Sequence, residues 1–331
     1  MKLSIIVPVF NKERYIEETL QKLTKIQVSE YEIIIVDDGS TDNSFTIINN
    51  WVAKNNNIKV LHQVNTGVSE ARNAGVKLAR GEWIWFVDAD DLPNTSFAEE
   101  AMKMAQIKQF DIYIGSFLKS DMNKSVFVTN SKEGIYSNIE LLRSFAEIQE
   151  INGYYGYLWN KIISKKLIDS AGATFRKGLT LAEDLDFMIT LYSHCETVYF
   201  SKTIAMCYRT QTENSSSERK IDYDEQLKIH IKIKKWFEEK GVYEDYADYL
   251  NVNITRYAAY SIYYANEDNI SPITKARELL ANSEVKNALV KWDNSSVMGR
   301  IAYYLRKEQY KRLYIYLKVR NIIRYIHRRG K

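Results

Sequence analysis

An apolar run, Trp83-Ile84-Trp85-Phe86-Val87, passes without transition into Asp88-Ala89-Asp90-Asp91. Val, Ile, Phe and Trp suit a pleated strand covered on both faces. Three carboxylates suit nothing in such an interior, because unpaired buried charge is expensive. A strand whose carboxyl end opens into a cleft reconciles the two, with a divalent cation set against the acids. Hard oxygen ligands favour Mg2+ or Mn2+. In open α/β sheets, the edge outside the carboxyl ends of the strands is where ligands bind.

The segments before this run share one rhythm. β-rich stretches fall at 3–9, 31–36 and 58–62, and the run itself gives a fourth strand over 82–87. Helical spacing separates them: Ile16, Leu20 and Leu23; then Ile47, Ile48 and Trp51 behind the capping cluster Ser40-Thr41-Asp42-Asn43; then 68–79, with Gly81 as its expected stop. Strand and helix alternating at this pace predict a parallel sheet with right-handed crossovers. Beyond Pro93 the pattern loosens. Strands are expected at 111–117, 125–129, 197–200 and 204–209, and helices at 138–148 and 183–194. From Asp222 the chain reads as helical and rich in Tyr and Lys, so a boundary is placed near Lys220, giving units 1–219 and 220–331.

At 331 residues, 45% hydrophobic and 27% charged, the composition is that of a globular protein with room for both units. No window approaches the roughly 18 apolar residues that span a bilayer, and the amino terminus shows no secretion signal. Cys195 and Cys207 form neither a disulfide framework nor a zinc motif. A reduced, cytoplasmic setting is expected.

Four stretches fall at carboxyl ends of expected strands and should converge on one cleft: Pro8-Val9-Phe10-Asn11, Asp37-Asp38-Gly39-Ser40, Asn65-Thr66-Gly67 through Arg72-Asn73, and Asp88-Ala89-Asp90-Asp91. Each alone reads as a plain turn or an acidic strand end. Together with Trp159-Asn160-Lys161 and Glu183-Asp184, in this order, they resemble the glycosyltransferase family 2 enzymes with the GT-A fold, over about residues 2–210. The resemblance implies a Rossmann-like, mostly parallel α/β sheet with flanking helices, here followed by a helical C-terminal extension. It also implies inverting transfer of a sugar from a nucleotide diphosphate sugar to an acceptor hydroxyl.

On that resemblance, Phe10 lies flat beside the nucleobase, with Pro8, Val9 and Asn11 shaping the pocket. Asp38 accepts a hydrogen bond from the imino N–H of uracil, a donor that cytosine lacks, which points to a UDP-sugar. Asn65, Gly67 and Ala89 join the donor site, and Arg72 offers a bidentate fork to a phosphate or a sugar hydroxyl. A helix-surface ion pair is the alternative reading of Arg72. Asp90 is the implied metal ligand, while Asp88 touches the metal, the ribose or the sugar. Asp184 is the implied general base and Glu183 an acceptor or base partner, against the plainer reading of an acidic first helical turn. Arg209 would neutralise the pyrophosphate, with the polar stretch 212–218 closing over it. Tyr155, Tyr157 and Trp159 are candidate acceptor contacts, against tyrosine-rich core packing. The Gln-x-x-Arg-Trp motif of processive members is absent, so one sugar is expected per encounter. A non-catalytic sugar-nucleotide-binding or scaffold protein is the rival class, and the intact Asp88, Asp90 and Asp184 argue against it.

The net charge of +4 is unevenly placed: residues 299–331 carry eleven Lys or Arg against Glu308 alone, with six tyrosines among them. Long cations mixed with amphipathic rings suit the headgroup zone of an anionic membrane. Packing on the protein and homodimerisation are the alternatives. Nothing upstream offers a reader for nucleic acid. Docking at the inner face of the membrane would suit a lipid-linked glycan acceptor; a protein or wall-polymer acceptor is the other expectation.

Overall fold

The computed structural model describes residues 1–120, 125–179, 181–209, 221–268, 270–291 and 295–329. The chain divides into two compact units, Met1–Arg219 and Lys220–Lys331.

The first unit opens with β1 (Leu3–Val9), α1 (Ile16–Leu23), β2 (Tyr31–Asp37), α2 (Ser44–Val52), β3 (Ile58–His62), α3 (Val68–Leu78) and β4 (Trp83–Phe86). It continues through β5 (Leu92–Pro93), α4 (Thr95–Ile107), β6 (Ile112–Ser120), β7 (Ser125–Val128), β8 (Gly134–Ser137), α5 (Asn138–Asn152), β9 (Lys161–Ser164), α6 (Lys165–Ser170), α7 (Glu183–His194) and β10 (Thr197–Arg209). The main path of the sheet runs β3-β2-β1-β4-β9-β6-β10-β5. Pairs β3/β2, β2/β1, β1/β4 and β6/β10 are parallel, whereas β9 is antiparallel to both neighbours. Every residue of β1 is buried, which explains a continuous apolar run where alternation would mark a one-sided strand.

After β3 the chain returns to the other side of β1 to lay down β4. The carboxyl ends of β1 and β4 therefore flank the point where strand order reverses, and a crevice opens there. Thr19 of α1 anchors the acidic end of β4: its hydroxyl donates to the carbonyls of Ala89 and Asp91, both at 3.0 Å.

Several expectations are corrected. Helix α3 ends at Leu78 with Ala79 already extended, so Gly81 is no helix stop. A side chain at Gly81 would meet the Ser4 backbone nitrogen at 2.5 Å, so close approach to β1 explains the glycine. The two strands expected at 197–200 and 204–209 are one strand with register shifts against β6. The cluster 40–43 caps α2 through Asp42, whose Oδ1 accepts from the Ser44 amide at 2.9 Å, and not through the N-cap residue Asn43.

The second unit consists of α8 (Tyr223–Glu239), α9 (Tyr243–Tyr264), a 3-10 turn at Ala265–Asp268, α10 (Pro272–Ala281), α11 (Ser283–Ala288), α12 (Val297–Arg306) and α13 (Tyr310–Arg329). Its core joins Ile254 and Ile262 of α9 to Ile301 and Leu305 of α12 and to Leu313 and Leu317 of α13. Leu313 and Leu317 of the basic tail thus pack on the other helices of this unit. Tyr314, Ile315 and Val319 of α13 remain exposed. Among the described residues no helix is long and apolar enough to cross a membrane.

Candidate active site

A cavity of about 610 Å3 opens at the strand-order reversal. It is lined by Pro8, Val9, Phe10, Asn11, Asp38, Asn65, Gly67, Arg72, Asp88, Ala89, Asp90, Tyr157, Trp159, Glu183, Asp184 and Arg209. Asp91, the third of the strand-end acids, lines it too, as do Lys12, Val68, Ala71 and Tyr208, to which no role was assigned. A second recess, at the opposite end of β4, is lined by Arg80, Trp83, Ser164, Lys165 and Lys166 among others and holds none of the expected site residues.

At one end of the cavity, Phe10 is 42% exposed, an open aromatic face on a strand-end loop. Asn11, just after it, takes φ 52°, the left-handed region that Asn tolerates better than most residues. The segment 40–44 holds that turn. The Asn11 amide donates to Ser40 Oγ at 3.0 Å, the Thr41 amide to Asn11 Oδ1 at 2.8 Å, the Lys12 amide to Ser44 Oγ at 2.8 Å and the Glu13 amide to Asp42 Oδ2 at 3.0 Å. The polar cluster after β2 is thus a staple between two strand-end loops. Gly39 takes φ +73°, and a side chain there would meet the Asn65 backbone nitrogen at 2.8 Å. Asp38, almost fully buried, accepts from Gln63 Nε2 at 2.8 Å, the Thr66 amide at 2.9 Å and the Gly67 amide at 2.8 Å. A carboxylate has about four acceptor sites. Among the described residues only the Gly67 amide is bonded to Oδ2, which leaves that oxygen able to accept another donor.

Arg72 organises the middle of the cavity. The guanidinium is 4% exposed and donates to Asp184 Oδ1 at 2.6 Å, Glu183 Oε1 at 3.3 Å and Asp88 Oδ1 at 3.1 Å. It also lies over the Phe175 ring, 5.5 Å from its centroid. Burial opposes the charge, but the carboxylates of Asp184, Asp88 and Glu183 outweigh it and hold the guanidinium above its ordinary pKa. Burial raises the pKa of Asp184 to about 8, helped by Glu183 and Asp88 and opposed by Arg72. Asp88 is raised mainly by burial as well, against Arg72. Asp184 follows Ala182, which adopts a left-handed turn at the start of α7. Asp186, two residues on, instead accepts from Arg176 Nε at 2.7 Å.

The three acids after β4 separate in role. Asp90 accepts from Lys12 Nζ at 2.6 Å and Asp88 from Arg72. Asp91 is buried, accepting from the Arg209 amide at 2.9 Å and so joining the ends of β4 and β10. Burial pushes its carboxyl well above the usual range. The Arg209 guanidinium donates to Glu18 at 2.6 Å and lies over the Tyr15 ring. The stretch 212–218 lies outside the described residues.

The aromatic wall corrects the acceptor assignment. Tyr155 is fully buried, its hydroxyl donating to Ser144 Oγ at 2.6 Å within a ring cluster of Phe145, Tyr192 and Phe200, so it is a core residue. Trp159 is also buried, stacked between Tyr157 at 4.8 Å and Tyr208 at 5.5 Å. The accessible rings are those of Tyr157 and Tyr208. Lys161 fixes this wall from behind: its buried ammonium donates to Asn160 Oδ1 at 2.6 Å and to the carbonyls of Tyr154 and Tyr157. Burial pushes that ammonium well below its usual pKa, against the field of Asp184.

A family model described as "Glycosyl transferase family 2" matches residues 4–170. The glycosyltransferase EpsJ of Bacillus subtilis is 30% identical over 263 residues, 77% of this chain and 75% of its own. The chain belongs to glycosyl transferase family 2. A poly(ribitol-phosphate) beta-glucosyltransferase of Bacillus spizizenii is 40% identical over 119 residues, 35% of this chain and 19% of its own. In shape, the chain matches Staphylococcus aureus TarS 1–349, solved with UDP-GlcNAc, at a TM-score of 0.70 and 20% identity, over 100% of this chain and 93% of that one. The fold of this family 2 glycosyltransferase is GT-A, a mostly parallel sheet followed by a helical C-terminal region.

Family 2 glycosyltransferases of this fold often use a divalent metal. Among the described residues no group of three or more His, Cys, Asp or Glu side chains is arranged to enclose a metal ion. Asp88 and Asp90 nevertheless suit one that is completed by substrate oxygens and water, the usual manner of Mg2+. Both carboxylates line the cavity beside Arg72 and Arg209.

Proposed function

We propose that this enzyme is an inverting, metal-dependent glycosyltransferase that moves one sugar from a UDP-sugar to a hydroxyl of a glycan acceptor. One observation carries the reading: a single buried guanidinium holds Asp184 and Asp88 in a cavity that also contains Asp90, Phe10 and Asp38. Phe10 and Asp38 supply a flat apolar face and a buried acceptor for uracil, and the likeness to TarS solved with UDP-GlcNAc supports that donor. Asp90, with Asp88, would hold a divalent cation, which when bound supplies positive charge against the leaving diphosphate. Arg72 and Arg209 add fixed positive charge nearby. Asp184 takes the proton of the acceptor hydroxyl, whose oxygen attacks the anomeric carbon. The bond from that carbon to the phosphate oxygen breaks as the new one forms, UDP leaves with the electron pair, and the configuration inverts. Tyr157 and Tyr208 offer rings for the acceptor sugar to stack upon.

Calorimetry with UDP and CDP, with and without Mn2+, tests the donor site. UDP is expected to bind about 10- to 100-fold tighter than CDP, the worth of one hydrogen bond to a buried charged group. Equal affinity removes Asp38 as the base reader, and no UDP binding removes the reading. A panel of UDP-sugars, assayed for slow hydrolysis, then identifies the sugar.

The pH dependence follows from Asp184. Its raised pKa means that the base form exists above about 8 and is lost as pH falls through that value. Because kcat/KM reports the free enzyme, its acid limb should fall near pH 8. A limb near 4, the ordinary carboxylate range, would assign the base elsewhere.

We infer that the acceptor is a lipid-linked glycan precursor and that the enzyme works as a peripheral protein at the inner face of the membrane. Exposed Tyr314, Ile315 and Val319, set among exposed Lys311, Arg312, Lys318 and Arg320, support this. The pair Ile315→Glu and Val319→Glu is expected to weaken binding to phosphatidylserine vesicles at least about tenfold, from lost apolar burial, with UDP affinity unchanged. Unchanged vesicle binding would favour the second reading, a wall-polymer acceptor, which the likeness to the poly(ribitol-phosphate) glucosyltransferase supports. Homodimerisation through α13 would appear as a loss of dimer in the same variant.

A further inference from the structure

Asp88 and Asp90 are both already held by the protein's own cations. Asp88 is tied to Arg72, and Asp90 accepts from Lys12 Nζ at 2.6 Å with the two side chains only 15% and 17% exposed. The two cations differ in kind. Arg72 is 4% exposed and committed to three carboxylates and a ring, so it cannot leave without stranding them. Lys12 carries a point charge on a flexible four-carbon stem. Its backbone, in contrast, is pinned: the Asn11 turn and the amides of residues 11, 12 and 13 are stapled to Ser40, Ser44 and Asp42. The Lys12 ammonium can therefore change partner while staying over the cavity that it lines with Phe10, Asp90 and Arg209.

We propose that Lys12 is a resident counter-cation: it holds Asp90 in the donor-free protein, yields that carboxylate to a divalent cation, and transfers to the diphosphate of the incoming donor. The proposal rests on the reading of this cavity as a nucleoside diphosphate site. Without the donor, Lys12 offsets the repulsion between Asp90 and the neighbouring acids Asp88 and Asp91. With it, the diphosphate brings new negative charge to the same space, and an ammonium released from Asp90 is a partner already on the cavity wall. Lys12 is then a positioning residue with two states, and it makes cation binding depend on the nucleotide.

The test uses the full chain, with Mn2+ followed by the resonance signal of the free ion and UDP followed by calorimetry. Without nucleotide, Lys12→Met should bind Mn2+ at least tenfold tighter than the wild type, because Asp90 has lost its competitor. With saturating Mn2+, the same variant should bind UDP at least tenfold more weakly. Lys12→Arg, which keeps the charge, should leave Mn2+ affinity without nucleotide near that of the wild type, and separates charge from size. Mn2+ affinity of Lys12→Met equal to or below wild type overturns the proposal, as does unchanged UDP affinity. Failure of the wild type to bind UDP defeats the donor-site reading itself and is read without any variant. Should Lys12→Met fail to fold, Lys12→Gln carries the same comparison.

Discussion

Replacing Asp184 with Asn is expected to lower turnover by about 10²- to 10⁴-fold, the usual contribution of a general base, while UDP affinity stays near that of the wild type. The amide has nearly the shape of the carboxylate, and its oxygen can still accept from Arg72 Nη1, which Asp184 Oδ1 meets at 2.6 Å. It cannot accept a proton from an acceptor hydroxyl. Folding should survive, because Arg72 keeps Asp88 and Glu183 as charged partners. Glu183→Gln should cost much less, since its contact to the same nitrogen is longer at 3.3 Å and the base remains. Initial rates and calorimetry on the two variants decide the matter. Equal losses would mean that the acids act only as a pair, and an unaffected Asp184→Asn would remove the base assignment.

Arg72→Met should destabilise the fold by about 3–5 kcal/mol, the cost of deleting one partner of a buried ion pair, and abolish transfer. The guanidinium neutralises three acids contributed by the end of β4 and the start of α7. Methionine restores much of the volume over Phe175 but none of the charge. Asp184 and Asp88 already have raised pKa values, so without Arg72 they take up protons at higher pH still. Protonated acids need no counter-charge. The loss of stability should therefore be small near pH 5 and grow as pH rises, most steeply above about 8, where Asp184 ionises in the wild type. Lysine at 72 falls between, since one ammonium cannot reproduce two separate nitrogens on opposite acids. Urea denaturation across pH measures this; a loss below about 1 kcal/mol at pH 8 would place Arg72 among ordinary surface pairs.

The strand ends were legible because two independent patterns agree there. Apolar runs without alternation mark parallel strands, and the acids or turn residues that stop them mark the ligand edge. Strands β1 and β3 and helix α7 fall at the expected residues. Strand β9 was hidden because it has four residues and begins with Lys161, whose buried ammonium is made tolerable by carbonyls that only the fold brings together. Helix α4 was missed after the two-residue strand β5, and its start is capped by Asn94, which accepts from the Ser96 amide. Tyr155 and Tyr157 look alike in sequence, yet one turn of chain places the first in the core and the second on the cavity wall. Lys12 adjoined a marked strand end, but Asp90, to which it donates, is 78 positions away. Pairings at that distance follow from topology and leave no local trace.

The central claim is that one cavity takes the donor between Phe10 and Asp90 with Asp184 facing it. A crystal structure of the protein grown with UDP and Mn2+, phased to show the anomalous signal of manganese, tests this directly. Uracil is predicted beside Phe10 with its imino N–H on Asp38, and the manganese peak at coordination distance from Asp90 and the diphosphate. Nucleotide bound in the recess near Arg80 and Lys165, or a manganese peak remote from Asp90, would contradict the account.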